Sequence, residues 1–277
     1  MTRQVEGRLT GAGDVALFWQ GWLPEGDPTG VLLLAHGLGE HSGRYLTVVD
    51  TLVPDGWAVY GVDHRGHGRS GGPRAHIVRY DDWLEDFDRF RREVVARHPG
   101  LPVFLLGHSM GGQLALAYAL DHQDDLAGLV LSAPALANTS LPPPLRRVFL
   151  AVARLAPTLR PRLLDLDKIS KDPDVVAAYH ADPHVHHGNA TLGLARALFL
   201  QFAVLPERAR ELHLPLLLMH GSEDVLTDPA GSRLLASTCG SPDQTVRWYD
   251  GLWHEIFHEP ERDTPLTDLR EWLAAHR

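Results

Sequence analysis

Short apolar runs recur along the chain, and most of them end in glycine or polar residues. Runs of this kind are typical of strands that a parallel sheet buries on both faces. We therefore expect a core of parallel strands. The runs are Val31–Ala35, Ala58–Val62, Val103–Leu106, Gly128–Leu131 and Leu216–Met219.

Longer amphipathic stretches separate these runs. Trp83, Phe87, Phe90 and Val94 recur at spacings of four, three and four, and the pattern stops at residues 98–100. This spacing places the four side chains on one face of a helix. Further helices are expected over Leu114–Leu120 and Leu266–Ala275.

The alternation of strands and helices predicts the α/β class, with a mostly parallel twisted sheet and helices on both faces. Two features extend this sheet. Val5–Leu9 and Val15–Leu23 predict an antiparallel hairpin near the start of the chain, and Thr245–Tyr249 predicts the last strand. We expect residues 1–277 to form a single domain.

Residues 134–206 interrupt the alternation. They contain three consecutive prolines at 142–144, a helical pattern over Leu145–Leu155 and no convincing strand. We interpret them as a helical insertion that lies over the sheet. Its apolar side chains either pack on the core or line a lipophilic entrance, since ligand pockets usually have largely apolar walls. These side chains are Leu141, Leu145, Val148, Phe149, Leu150, Leu198, Phe199, Leu200 and Phe202.

Composition and charge exclude several function classes. The chain has 277 residues, of which 44% are hydrophobic and 22% charged, as expected for a folded domain with a substantial core. Its net charge of −9 repels phosphate backbones, so nucleic acid is not an expected partner. Lys168 and Lys171 are the two lysines, and neither lies in a P-loop motif, so ATP or GTP hydrolysis is not expected.

Cysteine usage and hydropathy bear on location. Cys239 is the single cysteine, which leaves no disulfide framework and suits a reducing cytoplasm. The first residues lack the apolar run of a secretory signal, and no stretch approaches the ~20 apolar residues of a membrane span. We expect a cytoplasmic protein, and a peripheral position on a membrane surface stays open. The sequence also leaves the oligomeric state open.

Residues 107–111 form the most specific catalytic motif in the sequence. They read Gly-His-Ser-Met-Gly, directly after the strand Val103–Leu106 and directly before a helical stretch. In a nucleophile elbow, glycines permit the tight strand-to-helix turn that raises the serine hydroxyl into a cleft. We therefore expect Ser109 to be a catalytic nucleophile.

A serine nucleophile needs a base, and the base needs a carboxylate that orients it. In elbow-type hydrolases the three residues follow in the order Ser, Asp or Glu, His. Asp224 follows the strand at 216–219 and His254 follows the strand at 245–249. We assign Asp224 as the orienting carboxylate and His254 as the base. Glu223 and Asp228 stay open as alternative carboxylates.

Acyl transfer also needs two N–H donors for the oxyanion. One is expected from Met110, the residue after the nucleophile. The second is expected from the glycine-rich turn that follows Val31–Ala35, where we choose the amide of Leu38. A purely structural glycine-rich turn is the alternative interpretation.

Five motifs together resemble those of the α/β-hydrolase family, in the group of monoacylglycerol lipases and lysophospholipases. They are HGLGEHSGRY at 36–45, DHRGHGRS at 63–70, the elbow at 107–111, GSED at 221–224 and GLWH at 251–254. The resemblance covers nearly the whole chain. It implies hydrolysis of a monoacylglycerol to glycerol and a fatty acid by the triad of Ser109, Asp224 and His254. It also implies an oxyanion hole of Leu38 and Met110, and no cofactor.

The resemblance implies how the substrate is held. The insertion corresponds to the family's lid, which admits acyl chains and contacts membranes. The glycerol end would lie near Glu40, Arg44 and Tyr179, the last of which precedes an Asp-Pro pair at 182–183. Glu40 and Arg44 could equally form a structural ion pair. The expected partner is a small-molecule lipid ester, with transient membrane contact through the lid.

Residues 254–258 also match His-Glu-x-x-His, a zinc motif in which two histidines share one face of a helix. The segment lies between Asp250-Gly251 and Pro260, which leaves too little room for the long helix of zinc hydrolases. A zinc site with His254, Glu255 and His258 is therefore a remote alternative.

Two further motifs favour structural interpretations. Residues 66–71 match Gly-x-Gly-x-x-Gly, but Gly72-Pro73 follows where a dinucleotide-binding helix would begin, so a loop is expected. His184, His186 and His187 lack the spacing of a metal site and fit a solvated surface of the insertion. Within the fold, Ser109 excludes enzymes with an aspartate nucleophile, whereas carboxylesterases, lysophospholipases, perhydrolases and prolyl peptidases stay open.

Overall fold

The structure, a computed structural model, describes residues 2–137, 142–161 and 165–277. Its centre is a mixed sheet of eight described strands in the order β1-β2-β4-β3-β5-β6-β7-β8. The strands are β1 (Arg3–Thr10), β2 (Ala16–Leu23), β3 (Gly30–Ala35), β4 (Trp57–Val62), β5 (Val103–His108), β6 (Gly128–Ser132), β7 (Leu216–Gly221) and β8 (Gln244–Tyr249).

The sheet is antiparallel at one edge and parallel elsewhere. β1 and β2 form the predicted hairpin, with Arg3 opposite Leu23, and β2 also pairs antiparallel with β4. The pairs β3–β4, β3–β5, β5–β6, β6–β7 and β7–β8 are parallel. The predicted α/β class with a mostly parallel sheet is confirmed. Because parallel strands point the same way, the loops after β3, β5, β7 and β8 meet at one edge of the sheet.

Eight α-helices lie in the described part of the chain. They are α1 (Leu46–Leu52), α2 (Tyr80–Val95), α3 (Met110–Asp121), α4 (Pro143–Leu155), α5 (Pro173–Ala181), α6 (Leu192–Arg208), α7 (Pro229–Thr238) and α8 (Asp263–His276). The predicted stretches at 83–94, 114–120 and 266–275 lie within α2, α3 and α8. None of these helices combines the length and the apolarity needed to cross a membrane.

Helices cover the sheet on both faces. Successive residues of a strand point to opposite faces, so apolar strands expose apolar side chains on each face that a helix must cover. In β3, Leu33 belongs to a core cluster with Phe87 of α2 and Leu114 of α3. Its neighbour Leu34 belongs to the opposite cluster, with Leu52 of α1 and Leu269 of α8. Every residue of β3 is buried, which explains why this strand reads as a continuous apolar run.

The segment between β6 and β7 contains α4, α5 and α6. Leu194 and Ala197 of α6 join the core cluster on the α2–α3 face of the sheet, so this helix ties the segment to the domain. α6 continues through Pro206 to Arg208, and the expected boundary at residue 206 lies inside it. α4 and α6 pack on each other through Phe149 and Phe199, whose ring centroids are 4.9 Å apart.

Candidate active site

Ser109 lies at the junction of β5 and α3, in a strained conformation. Its φ of 56° and ψ of −120° belong to a region that residues with a side chain rarely adopt. A Cβ added at Gly107 would collide with the carbonyl oxygen of Gly111. A Cβ added at Gly111 would collide with the carbonyls of Ala35 and His36. The two glycines are therefore required by the close approach of α3 to β5 and to the end of β3.

The backbone of Ser109 is held from the neighbouring strand. Its N–H donates to the carbonyl of Ser132 at 3.0 Å, and its own carbonyl accepts from the N–H of Ala135 at 3.0 Å. These bonds hold the turn in place despite its unfavourable dihedral angles. The residue is 8% exposed and lies on the wall of a cavity.

The loops after β7 and β8 bring Asp224 and His254 together. His254 Nδ1 lies 2.7 Å from Asp224 Oδ2, and both side chains are buried. Glu223 is exposed, and Asp228 accepts the N–H of Ala230 as the cap of α7. Of the three candidate carboxylates, Asp224 is the one placed against His254.

Asp224 accepts several further hydrogen bonds. Its Oδ1 accepts the N–H groups of Leu226 and Thr227 at 2.8 and 3.0 Å. Its Oδ2 accepts the Thr227 hydroxyl at 2.7 Å and lies 3.2 Å from His220 Nε2. Burial disfavours the charged carboxylate, but the charge of His254 and the hydrogen bonds from His220 and His254 hold its pKa well below the usual range. Asp224 is therefore ionised at neutral pH.

His254 is an imidazole in a negatively charged environment. Burial alone would lower its pKa, but the charge and hydrogen bond of Asp224, followed by the charges of Glu255 and Glu40, raise it above the ordinary value. The ring packs on that of His108, with centroids 4.6 Å apart. Burial and the neighbouring His254 lower the pKa of His108 to about 4, so His108 is neutral at pH 7.

Ser109 and His254 face a cavity of about 340 Å³. Leu38 and Met110, the expected oxyanion donors, line the same cavity. The backbone turn after β3 approaches the serine closely, because a Cβ built on Gly37 would lie 3.3 Å from Ser109 Cβ. The Gly37 N–H donates to Glu40 Oε1 at 2.5 Å, and the next amide in this turn is that of Leu38.

Much of the cavity wall is apolar and comes from the segment between β6 and β7. Of the apolar side chains singled out in the sequence, Phe149, Leu198, Phe199 and Phe202 line the cavity. Four others do not line it: Leu150 is partly buried, and Leu145, Val148 and Leu200 are exposed. Leu141 lies outside the described residues.

An ion-pair cluster closes the polar end of the cavity. Arg44 donates from Nη1 and Nη2 to the two carboxylate oxygens of Glu255, at 2.6 and 2.8 Å, and from Nη1 to Glu40 Oε2 at 2.9 Å. The Tyr45 hydroxyl donates to Glu40 Oε1 at 2.8 Å. Glu40 and Glu255 line the cavity, whereas Arg44 lies behind them. Despite burial, the charge of Arg44 lowers the pKa of both carboxyl groups.

Tyr179 of α5 also lines the polar end. It is 2% exposed, and the Arg44 guanidinium lies 4.7 Å from its ring centroid, within the range of a cation–π contact. Within the described residues its buried hydroxyl has no hydrogen-bond partner. Because an unpaired buried hydroxyl is unfavourable, this atom is suited to bind a polar group of a ligand.

Sequence reasoning missed several residues of this site. Thr227 and His220 contact Asp224, and Tyr45 contacts Glu40. The sequence predicts a role for Glu255 only within a zinc motif, although its position directly after the expected base is also a usable signal. The motif at 254–258 is a turn, in which His258 Nε2 lies 2.8 Å from the carbonyl of Arg44 while His254 faces Asp224.

The structure also shows what the glycine-rich motif at 66–71 and the histidines at 184, 186 and 187 form. In residues 66–71 the Gly66 N–H donates to the Gly71 carbonyl at 2.8 Å, and α2 begins only at Tyr80, so the segment is a closed loop. Across the described ranges, no three His, Cys, Asp or Glu side chains are grouped as a metal site would require, and this includes His184, His186 and His187.

Comparisons with known proteins agree with this geometry. Residues 26–261 match the family model Hydrolase_4, described as serine aminopeptidase, S33. The chain is 43% identical over 272 residues to a monoacylglycerol lipase of Mycolicibacterium smegmatis, covering 98% of this chain and 97% of the relative. It is 32% identical to the monoglyceride lipase of Homo sapiens, covering 96% and 89% of the two chains. The crystal structure of Paleococcus ferrophilus monoacylglycerol lipase superposes with a TM-score of 0.83 at 31% identity, covering 100% of both chains.

Proposed function

The chain belongs to the Hydrolase_4 family of α/β-hydrolases, and from this membership we propose that it hydrolyses monoacylglycerols to glycerol and free fatty acid. The observation that carries the proposal is that Ser109 and His254 line the same cavity, which has apolar walls from α4 and α6 and a polar end at Glu40 and Tyr179. A single-chain ester has the same division into an apolar tail and a polar head. The two relatives and the structure named above carry this activity in their names.

In the proposed mechanism Ser109 attacks the ester carbonyl and His254 accepts its proton. Asp224 stabilises the imidazolium that forms, and His254 returns the proton to the departing glycerol oxygen. Water then cleaves the acyl-enzyme by the same steps in reverse order. Apart from the substrate and this water, these steps use side chains and main-chain amides of this chain.

The oxyanion of each tetrahedral intermediate accepts from the amides of Leu38 and Met110. Glu40 supports this arrangement because it binds the preceding amide, that of Gly37. Met110 begins α3, so its amide is at the positive end of the helix dipole. A preorganised donor of this kind contributes about 10²–10³ in turnover.

The glycerol hydroxyls bind at the polar end. Glu40 and the free hydroxyl of Tyr179 contact them directly, because both side chains lie on the cavity wall. Arg44 acts from behind by holding the Glu40 carboxylate and the Tyr179 ring. The acyl chain extends along Phe149, Phe199 and Phe202.

The test is the release of fatty acid from a chain-length series of monoacylglycerols. Diacylglycerols, triacylglycerols, a lysophospholipid and a short soluble ester are run beside it. Strong selectivity for monoacylglycerols is expected, because the cavity has one polar end for the glycerol head and one apolar part for a single acyl chain. Faster turnover of the short ester, with little on any glyceride, would make the protein a general carboxylesterase and would contradict the roles of Glu40, Arg44 and Tyr179.

Ser109→Ala is the control for this assay. If the triad acts as a unit, turnover should fall by about 10⁶ in Ser109→Ala and in His254→Ala. A chelator should leave the rate unchanged. Loss of activity with chelator, with Ser109→Ala still active, would contradict the triad and favour the zinc interpretation.

We also propose that residues 134–206 act as a lid that contacts membrane surfaces. α4 carries an exposed apolar stripe, and large exposed apolar patches mark sites of interaction. Arg147 and Arg154 of the same helix are exposed and could bind anionic headgroups. The stripe consists of Leu145, Val148, Val152 and Leu155, with exposed fractions of 55, 59, 44 and 86%.

Co-sedimentation with phosphatidylcholine vesicles containing phosphatidylglycerol tests this contact. In Val148→Gln/Leu155→Gln, the vesicle-bound fraction should fall severalfold, because two apolar side chains are lost from the stripe. Leu234→Gln, which alters an equally apolar and 43% exposed residue of α7, is the matched control. Equal binding by the double variant and the control would contradict a membrane role for α4.

A further inference from the structure

Glu255 directly follows the expected base and is 5% exposed. Both of its carboxylate oxygens are bound by the two Nη atoms of Arg44, at 2.6 and 2.8 Å. A two-point contact of this kind is the strongest and most directional form of the arginine–carboxylate pair. Arg44 lies just before α1, in the segment that follows β3. The pair therefore joins the loop of His254 to a part of the chain 211 residues away.

Two further contacts fix Glu255. Its N–H donates to the carbonyl of Ile169 at 2.8 Å. His258 Nδ1 lies 3.1 Å from Glu255 Oε2, and His258 Nε2 lies 2.8 Å from the carbonyl of Arg44. The main chain and the side chain of Glu255 are thus both held. A shift of the adjacent His254 would therefore strain or break these contacts.

Glu255 also contributes charge. Glu40 and Glu255 share the single guanidinium of Arg44, and both carboxylates line the cavity beside His254. The charged and titratable groups around the His254 ring come from four segments. They are Asp224 after β7, Glu40 after β3, Glu255 in the same loop, and the neutral His108 of β5.

This arrangement matters when His254 becomes protonated. The imidazolium exists in the tetrahedral intermediates, and an opposite charge in a buried site stabilises it. Asp224 supplies the hydrogen-bonded charge at Nδ1. Glu255 is a second carboxylate that is not hydrogen-bonded to the base but raises its proton affinity through space.

We propose that Glu255 is a positioning residue for the base: its pair with Arg44 fixes the turn that carries His254, and its charge stabilises the imidazolium. This inference rests on the proposed function. The glutamate of the His-Glu-x-x-His motif thereby supports the base of a catalytic triad and not a zinc site, and its partners are Arg44 and His258.

The experiment measures kcat/KM against pH for the wild type, Glu255→Gln and Glu255→Asp. Glu255→Gln keeps the shape but removes the charge, so the acidic limb should move to lower pH by about one unit. The maximal kcat/KM should fall about tenfold or more, since a less basic imidazole stabilises the intermediate less well. Glu255→Asp keeps the charge and should keep the position of the acidic limb.

Glu261→Gln is the matched control, because it removes an exposed carboxylate from the same loop, where its partner is Lys171. Its acidic limb should coincide with that of the wild type. Thermal unfolding of all variants separates a loss of folding from an effect on the base. An unmoved limb in Glu255→Gln, with a lowered melting temperature, would reduce Glu255 to a structural role and overturn the proposal.

An NMR titration of the His254 ring keeps the two proposals distinguishable. If the wild type hydrolyses no ester, the proposed function fails, but the titration still compares His254 in the wild type and Glu255→Gln. A lower His254 pKa in the variant supports the charge effect. An unchanged pKa overturns it whatever the activity.

Discussion

Thr227 illustrates how a single neutral side chain completes the site. Its hydroxyl lies 2.7 Å from Asp224 Oδ2, 3.1 Å from the carbonyl of Ala133 and 3.4 Å from His254 Nδ1. Its N–H donates to the other oxygen of Asp224. The residue therefore helps to hold the carboxylate in the position from which its Oδ2 accepts the hydrogen bond of His254 Nδ1.

Thr227→Val tests this role, because valine has nearly the same shape but no hydroxyl. A hydrogen bond to a charged group contributes about 1.5–3 kcal/mol, so kcat should fall about ten- to a hundredfold. Thr227→Ser keeps the hydroxyl and should restore most of the rate. Equal rates in Thr227→Val and the wild type would show that the Thr227 hydroxyl is not needed to hold the Asp224 carboxylate.

Individual site residues were predictable from the sequence where their role requires a short local motif. Ser109 follows from glycine spacing, because the same steric contacts recur wherever a strand turns sharply into a helix. The contacts of Thr227, Glu255 and Tyr45 could not be predicted in this way. They depend on how loops from distant parts of the chain meet, and no local spacing encodes that meeting.

The pair of helices α4 and α6 forms the aromatic part of the cavity wall. Phe149 of α4 and Phe199 of α6 have ring centroids 4.9 Å apart, and Phe202 lies one turn further along α6, 5.0 Å from Phe199. All three line the cavity. Under the proposed function, this cluster restricts the space that the acyl chain can occupy.

Phe202→Ala should shift the preference of the enzyme toward longer acyl chains. Removing a phenyl ring leaves a space that additional methylene groups can fill, and each buried methylene contributes about 0.8 kcal/mol. The measurement is the ratio of kcat/KM for long-chain and medium-chain monoacylglycerols. Leu200→Ala, at a 39% exposed position of the same helix, should leave the ratio unchanged. A ratio that changes equally in both variants would point to a general loosening of α6.

The elements themselves were predictable to different degrees. The strands of the central sheet were predicted because burial on both faces leaves a continuous apolar signal, as in β3 and β7. α5 was not predicted as a helix. Of its residues, Tyr179 lines the cavity, and Val176 and Tyr179 pack in a small separate cluster with Ile169 and Val185, so its apolar pattern is weak. The side of α4 that faces the cavity likewise depends on its packing against α6.

Across the whole molecule, burial of histidines couples stability to pH. Three of the 17 histidines, His36, His64 and His67, are buried and pack on one another, with His36 directly after β3. The ring of His36 lies 4.2 Å from that of His64 and 5.4 Å from that of His67, between centroids. His36 Nε2 accepts the N–H of His64 at 2.9 Å, so it is occupied without a proton. Burial lowers the pKa of all three, and that of His67 falls to about 3. The carboxylates of Glu40 and Asp63 partly offset the effect of burial at His36, whereas the neighbouring histidines add to it at His64 and His67.

The direction of this pH dependence follows from the pKa of each histidine in the folded and in the unfolded protein. His67 is neutral in the folded protein down to about pH 3, whereas in the unfolded chain it binds a proton below about pH 6.5. The free energy of unfolding therefore falls as the pH falls through this window. His254 acts in the opposite direction, because its raised pKa stabilises the folded state below pH 6.5. His64 adds to the effect of His67, so destabilisation on acidification should dominate.

We expect acidification from pH 7 to pH 5 to lower the free energy of unfolding, with a contribution from His67 of about 2 kcal/mol. Urea unfolding at pH 7, 6 and 5 measures this slope. His67→Asn removes the titrating ring, and its amide can replace the Nδ1 donor to the Arg65 carbonyl, so the slope should become shallower even if the variant is less stable overall. His213→Asn changes an exposed histidine and should keep the slope of the wild type. Parallel slopes for His67→Asn and the wild type would mean that the buried ring is protonated without loss of the fold.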